Sequence, residues 1–229
     1  MKVIGVITAL DAERGQLEKI LEKPLKTDLY GRISVSTYNY NGLTVCLAKS
    51  GVGEIHAAAC TQLLISLYGV ELIFNYGFAG GLGGAYKIGE SVVVDGVVHY
   101  DFDTSVIDGT DPGRYLFYPS AIIPTDDGLK EFALSVLGRA KKGICASGDK
   151  FVADEGLKSK LYTTDGATLC DMESAAIAMI GENAKIPVLS IKVVSDSGDT
   201  DEYVSFKELL LSAKASFVEF LKNILDHLC

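Results

Sequence analysis

Short, β-rich apolar runs alternate with stretches of helical periodicity along nearly the whole chain, and few folds accept that pattern. Val3–Thr8 reads as a first buried strand and Asp11–Leu21 as a helix. Ile33–Tyr40 and Leu43–Lys49 flank Asn41-Gly42, a dipeptide suited to a type I′ hairpin turn. A helix over Gly53–Tyr68 leads to a strand at Leu72–Tyr76 and then a glycine-rich turn. Ser91–Val98 is a strand, and residues 104–120, with Gly109, Asp111-Pro112-Gly113 and Pro119, read as a long loop. A helix at Asp127–Leu137, a strand at Lys142–Ala146, a helix at Asp171–Gly181 and a strand at Val188–Val194 follow. An amphipathic helix from Phe206 to His227 closes the chain. Such alternation implies an α/β fold with a largely parallel central sheet under helices. The hairpin adds antiparallel character, so a mixed sheet is expected. No linker, low-complexity stretch or repeat interrupts residues 1–229, and a single domain is expected.

The remaining bounds are consistent with this. At 229 residues, 48% hydrophobic and 22% charged, the chain can bury a sizeable core. A net charge of −9 and the lack of any basic cluster argue against nucleic acid or an anionic membrane as partner. Cys46, Cys60, Cys145, Cys170 and Cys229 are scattered, without CxxC spacing, as expected of reduced core thiols in a cytoplasmic protein. The apolar N-terminal run is too short for a signal peptide, and no run approaches the roughly 20 apolar residues of a membrane span.

Three carboxylates stand where packing alone would not put them. Val188–Val194 runs straight into Ser195-Asp196-Ser197-Gly198-Asp199, and in open α/β sheets ligands bind beyond the carboxyl ends of strands. Asp196 is therefore placed for chemistry. Glu13 falls at helical spacing between Ile20 and Leu17, inside the apolar stripe of its helix. A carboxylate there is costly unless it has a partner or a task. Alternatively it lies at the stripe's edge in the first turn, where negative charge suits the helix dipole. Periodicity does not separate the two. Glu173 begins a helix that is apolar almost all round, projecting between Ile177 and Ile180. A first-turn acid explains Asp171 better than Glu173, which points to a ligand site.

Two further segments are suggestive only in company. Gly77–Gly84 lets backbone approach a ligand, but it contains neither GxxxxGK nor GxGxxG. Ser147–Val152 is a strand-end turn followed by Phe151, a ring able to stack on a flat ligand. Other chemistries lack their residues. There is no HExxH, no GxSxG elbow and no calcium-loop spacing in Asp196–Glu202, and His99 beside Asp101 and Asp103 reads as a polar strand end or subunit contact rather than a metal site.

Taken together, these segments resemble the 5′-methylthioadenosine/S-adenosylhomocysteine nucleosidase family. The likeness rests on Gly5–Leu10 with Glu13, Ser50–Gly53, Gly77–Leu82, Ser147–Val152, Asp171–Ala178 and Ser195-Asp196, in that order and nearly end to end. The resemblance implies a three-layer α/β/α sandwich with a mixed central sheet, of the nucleoside phosphorylase type. It also implies a homodimer that hydrolyses the N-glycosidic bond of a small 5′-substituted adenosine, with no cofactor and no metal. Asp196 then matches the acid that protonates adenine N7, with Ser195 beside it, and Glu13 matches the base near the attacking water. Glu173 matches the acceptor of ribose hydroxyls, with Met172 against the sugar. Phe151 matches the base-stacking ring and Val152 the backbone that reads the adenine edge. Phe78, Ala79 and Gly80 match the strand end beside the sugar. Leu10, Val52 and Phe206 match positions around the 5′ substituent. Phe78 stands where many relatives carry a small or hydroxyl residue near the ribose, and Lys192 where some carry Arg close to the catalytic base.

The chemistry agrees with that division of labour. Adenine leaves poorly until N7 is protonated, and departure creates an oxocarbenium-like ribosyl cation that carboxylates stabilise and water captures. Positioned proton transfer contributes about 10²–10⁴-fold, and glycoside hydrolysis in general divides acid and base roles between two carboxylates. A phosphorylase of the same superfamily would need cations for phosphate, commonly an Arg at the position of Asn75. Arg14, Arg32, Arg114 and Arg139 all lie outside the matched motifs. Water is thus the expected nucleophile. Arg14 and Lys192 stay without a role, which keeps a phosphorylase as the second reading and a catalytically silent nucleoside-binding protein as the third.

Overall fold

A computed structural model describes residues 2–138, 140–197 and 221–228. In chain order the elements are β1 (Val3–Thr8), α1 (Asp11–Leu21), β2 (Lys26–Tyr30), β3 (Ile33–Tyr40), β4 (Leu43–Lys49) and α2 (Glu54–Leu63), which runs on as a wider π turn over Leu64–Tyr68. Then come β5 (Leu72–Gly81), β6 (Ser91–His99), α3 (Ser105–Asp108), β7 (Ile122–Pro124), α4 (Asp127–Leu137), β8 (Lys141–Ser147) and α5 (Glu155–Thr163). β9 (Leu169–Asp171), α6 (Ser174–Ala184), β10 (Val188–Ser197) and the helical residues 221–228, here α7, complete the set.

All the described strands belong to one 10-stranded mixed sheet. Parallel β1, β4, β5 and β10 form its centre, and the β2–β3–β4 meander extends one edge. The other edge curls over: β10 pairs with β6, β6 with β8, β8 with β9 and β9 with β5, so these strands close into a ring with β5 and β10. The hairpin turn is as the sequence predicts, with φ of 47° at Asn41 and 92° at Gly42.

Both sheet faces are apolar, which is why the strands read as continuous hydrophobic runs. Ile4, Val6, Leu47 and Phe74 pack on one face against Leu17 and Leu21 of α1, Ala133 of α4 and Leu221 and Leu225 of α7. Ile7, Ala48 and Ile73 point the other way, against Ala57 and Cys60 of α2 and Ile177 of α6. Successive residues of one strand thus feed opposite layers, and the result is the three-layer α/β/α arrangement.

Four departures from the sequence reading are informative. The glycine-rich stretch is not a turn: Gly77–Gly81 continues β5, paired with Lys192–Ser197 of β10. The helix expected from Asp171 starts at Ser174, so Asp171 ends β9 and Glu173 is the residue that caps α6. The short β2, β7 and β9 and the helix α5 are additional, and the 104–120 loop carries the one-turn α3. Of the C-terminal helix, only its last part lies within the described residues. No helix among them is long and apolar enough to cross a membrane.

A buried polar layer lies between β5, β10 and the starts of α2 and α6. Lys192, 2% exposed in mid-β10, pairs with Asp171 at 2.8 Å and donates to Asn75 Oδ1 at 3.1 Å. Asn75 Nδ2 in turn donates to Ser174 Oγ and Ser190 Oγ. Burial alone would raise the Asp171 carboxyl, but the Lys192 charge and hydrogen bonds from Lys192, Ser174 and Ser147 hold it below its ordinary value. Glu54, at the start of α2, accepts from Ser147 Oγ and from the Ala176 amide at 2.6 Å. Loss of hydration, with Asp171 and Glu173 nearby, pushes its carboxyl from 4.5 up to about 8.

Two expected outcomes follow from this packing. A Cβ on Gly181 of α6 would lie 2.2 Å from Val188 Cγ2 and 3.1 Å from the Ile186 carbonyl. Gly181→Ala should therefore lose about 1–3 kcal/mol in urea unfolding, as overpacking does; unchanged stability would mean that α6 and β10 separate freely. The folded state also holds an extra proton on Glu54 between pH 4.5 and about 8, so its contribution to stability falls as pH rises through that window. Glu54→Gln, a neutral isostere, should match the wild type near the acid end and exceed it above the window by on the order of 2–4 kcal/mol. Parallel stability–pH curves for the two proteins would contradict it.

Candidate active site

A cavity of about 240 Å³ opens where β1, β5 and β10 end, and Glu13, Glu173 and Asp196 all line it. These side chains come from separate stretches of the sequence, and each is brought in by a different local device.

Glu13 is the third residue of α1 and is 3% exposed. Its Oε2 accepts the amides of Ala9 and Leu10, each at 2.9 Å, so it reaches back to the residue preceding its helix as a capping carboxylate does. Its Oε1 accepts the Phe78 amide at 3.0 Å. Glu13 thus serves the helix start and lines the cavity at once, buried rather than at the edge of the apolar stripe. Burial drives its carboxyl above 4.5, against the hydrogen bonds from Phe78, Leu10 and Ala9 and the charge of Lys192. Gly77 makes room for it, since a Cβ there would sit 2.8 Å from Glu13 Oε1.

Asp196 lies near the end of β10, opposite Gly80 of β5. The register between these strands slips at Ser195, a bulge of the kind that re-aims a side chain at a strand end. Ser195 Oγ donates to Asp196 Oδ2 at 2.8 Å, and it also lies 3.1 Å from the Ala79 carbonyl. A Cβ on Gly80 would meet Asp196 Oδ1 at 3.2 Å and Cys170 Sγ at 3.0 Å. The glycines of β5 are thus the clearance for two carboxylates.

Glu173 precedes α6 and accepts the Gly53 amide at 2.9 Å. Desolvation, then the Asp171 charge, raises its carboxyl to about 7, with Lys192 opposing. Met172 shares the same wall. Val152 is buried, whereas Phe151 leaves 66% of its surface exposed at the cavity, an open ring that no core packing requires. Leu10, Val52, Phe78, Ala79 and Gly80 line the rest, and Phe78 also packs against the main core cluster. Every candidate residue within the described part of the chain reaches this one cavity; Phe206 lies outside the described residues.

The residues left over in the sequence also find places. Arg14 bonds Glu18 at 2.8 Å and the hydroxyls of Ser34 and Ser36 on β3, and it is not part of the cavity wall. Lys192 lies behind the wall, between Asp171 and Asn75. His99 bonds Asp101 and Tyr115, and no cluster suited to a metal ion occurs among the described residues. Sequence reasoning missed Glu54, Lys150 and Cys170; the last two line the cavity. Glu54 had a signal, because it stands at helical spacing with the buried Ala57 and Thr61, the argument that picked out Glu13. Lys150 and Cys170 carried none.

The profile of the phosphorylase superfamily matches residues 3–228. A 5′-methylthioadenosine/S-adenosylhomocysteine nucleosidase of Shewanella pealeana is 32% identical over 215 residues, 92% of this chain and 93% of that protein. Among solved structures, the native futalosine hydrolase of Helicobacter pylori gives a TM-score of 0.92 at 25% identity, covering 99% of this chain and 98% of the other. The 5′-methylthioadenosine/S-adenosylhomocysteine nucleosidase of Neisseria meningitidis, in complex with methylthio-immucillin-A, gives 0.89 at 30% identity, covering 98% and 99%. With likeness of this extent in both sequence and fold, the chain belongs to the phosphorylase superfamily and, within it, to the 5′-methylthioadenosine/S-adenosylhomocysteine nucleosidase family, and it is an N-glycosyl hydrolase.

Proposed function

We propose that this enzyme releases adenine from a 5′-substituted adenosine such as 5′-methylthioadenosine, S-adenosylhomocysteine or 5′-deoxyadenosine. The observation that carries the reading is the meeting of Glu13, Glu173 and Asp196 around one cavity. In the proposed reaction Asp196 donates its proton to N7 as the bond from C1′ to N9 breaks, and the bonding pair leaves with the base. Ser195 donates to Asp196 Oδ2, and the missing side chain of Gly80 clears the space beside Oδ1. Water then attacks C1′ and gives its proton to Glu13. A buried carboxylate whose affinity for protons is raised is the better base for that step. Glu173 accepts from the ribose hydroxyls, Met172 packs on the sugar, and the base stacks on Phe151 beside the Val152 backbone. Leu10, Val52 and Phe78 surround the 5′ group.

Water rather than phosphate as nucleophile is supported by where the cations are. Arg14 is occupied by β3 and Glu18, and Lys192 by Asp171 and Asn75. The family likeness further leads us to a homodimer, a reading supported by the exposed apolar side chains of Ile55, Val106, Ile107, Leu116 and Phe117. Light scattering on the purified chain tests it, and a monomer at micromolar concentration would remove it.

The decisive assay follows free adenine from each candidate nucleoside, with and without phosphate, and includes futalosine because of the structural likeness to a futalosine hydrolase. Phosphate-independent release is expected. Release that requires phosphate selects the phosphorylase, and no release from any nucleoside leaves a binding protein. Asp196→Asn and Glu13→Gln should each lower kcat about 10²–10⁴-fold while ligand affinity stays near wild type. Near-normal turnover in either variant removes that residue from the mechanism.

A further inference from the structure

Between the end of β6 and the cavity runs a file of contacts that the proposed chemistry does not use. His99 Nδ1 lies 2.7 Å from the Tyr115 hydroxyl, and His99 Nε2 lies 3.0 Å from Asp101 Oδ1. Asp101 Oδ2 accepts the Asp149 amide at 3.0 Å. Asp149 Oδ1 accepts the Glu54 amide at 2.7 Å, and the neighbouring Gly53 amide donates to Glu173 Oε1 at 2.9 Å. Glycine makes two of these approaches possible. A Cβ on Gly148 would lie 2.7 Å from the Asp101 carboxylate, and one on Gly53, where φ is 100°, would lie 2.7 Å from Asp149 Oδ1.

The amides of Gly53 and Glu54 are the first of α2, which have no partner within the helix and carry its positive end. Two carboxylates share them, Glu173 in the cavity lining and the exposed Asp149 outside it. Asp149 is also the residue directly before Lys150–Val152, the segment that carries the exposed Phe151 ring. A single side chain thus ties the segment beside the proposed base position to the amide that holds the proposed ribose acceptor.

We propose that Asp149, held by Asp101, is a positioning residue for the nucleoside: it fixes the Lys150–Val152 backbone and the start of α2, and through Gly53 it sets the orientation of Glu173. The inference rests on the nucleosidase reading of the cavity. Glu13 and Asp196 receive nothing from this file, so its loss should weaken substrate binding and leave the chemical step nearly intact.

The test is steady-state kinetics on 5′-methylthioadenosine, with adenine affinity measured by calorimetry on the same proteins. Asp149→Ala should raise KM about 10-fold and change kcat less than about threefold, with adenine affinity falling in parallel. Asp149→Asn keeps an acceptor oxygen for the Glu54 amide and should return KM to within about threefold of wild type. Asp101→Ala should shift KM in the same direction by a smaller factor. In a Glu173→Gln background the effect of Asp149→Ala should shrink, since the two act on one amide pair. A folded Asp149→Ala protein with unchanged KM and unchanged adenine affinity overturns the proposal. So does full additivity with Glu173→Gln, or the same loss in Asp149→Asn as in Asp149→Ala. A wild type that binds adenine but releases none from any nucleoside would sink the nucleosidase reading instead, and adenine affinity would still decide the role of Asp149.

Discussion

Four carboxylates, those of Glu13, Glu54, Asp171 and Glu173, are buried around one buried ammonium, and they cannot all be charged. Lys192 takes one of them. Burial opposes its charge, but the Asp171 and Glu173 carboxylates outweigh that and hold it ionised. Asp171, in direct contact, stays charged, while Glu13, Glu54 and Glu173 are all driven upward by lost hydration. The layer thereby sorts its acids into one structural partner and several with raised proton affinity. Carboxyl groups whose environments push them apart in this way are the usual raw material of acid–base sites.

What keeps the raised carboxylates in place is backbone rather than cation. Glu13 is bound by three amides, Glu173 by the Gly53 amide and Glu54 by the Ala176 amide. Amides satisfy buried oxygens without adding a full positive charge, so they lower the proton affinity less than an arginine would. This choice needs chain that approaches very closely, and it explains glycine at 77. It also commits Lys192 to Asp171 and Asn75 rather than to an anion in the cavity, in keeping with water as the proposed nucleophile.

Much of this arrangement is visible in the sequence, and the reason differs by element. β1, β3, β4, α1 and α4 read from the sequence with their observed limits, because each carries a clear apolar run or helical period. β2, β7 and β9 escaped notice: β2 is a largely exposed edge strand, and β7 and β9 have three residues each, too few for periodicity to register. The glycine-rich end of β5 was misread because strand glycines look like turn glycines until the carboxylates they accommodate are known. Glu173 reads from the sequence as a candidate ligand-site acid one turn further into its helix than the structure places it. The candidate site was legible wherever a charged residue broke an apolar pattern, as at Glu13. The tie between Asp101 and Asp149 joins exposed loop residues with no pattern around them, and only the fold brings it out.

The bulge at Ser195 shows why the site belongs to this sheet and not to α/β sheets in general. Up to Val194 the strand alternates with its neighbours, and Val193 and Val194 are buried on opposite sides in different core clusters. Without a register shift, Asp196 would follow the alternation of Val194, whose side chain lies in the packed interior of the ring. The extra residue breaks that alternation and sets Asp196 beside Gly80, where Ser195 can reach both the carboxylate and the Ala79 carbonyl. The place where the sheet stops being flat and begins to close is therefore also the place where a strand can afford to present an acid. A strand continuing in register would have had to bury that acid among valines.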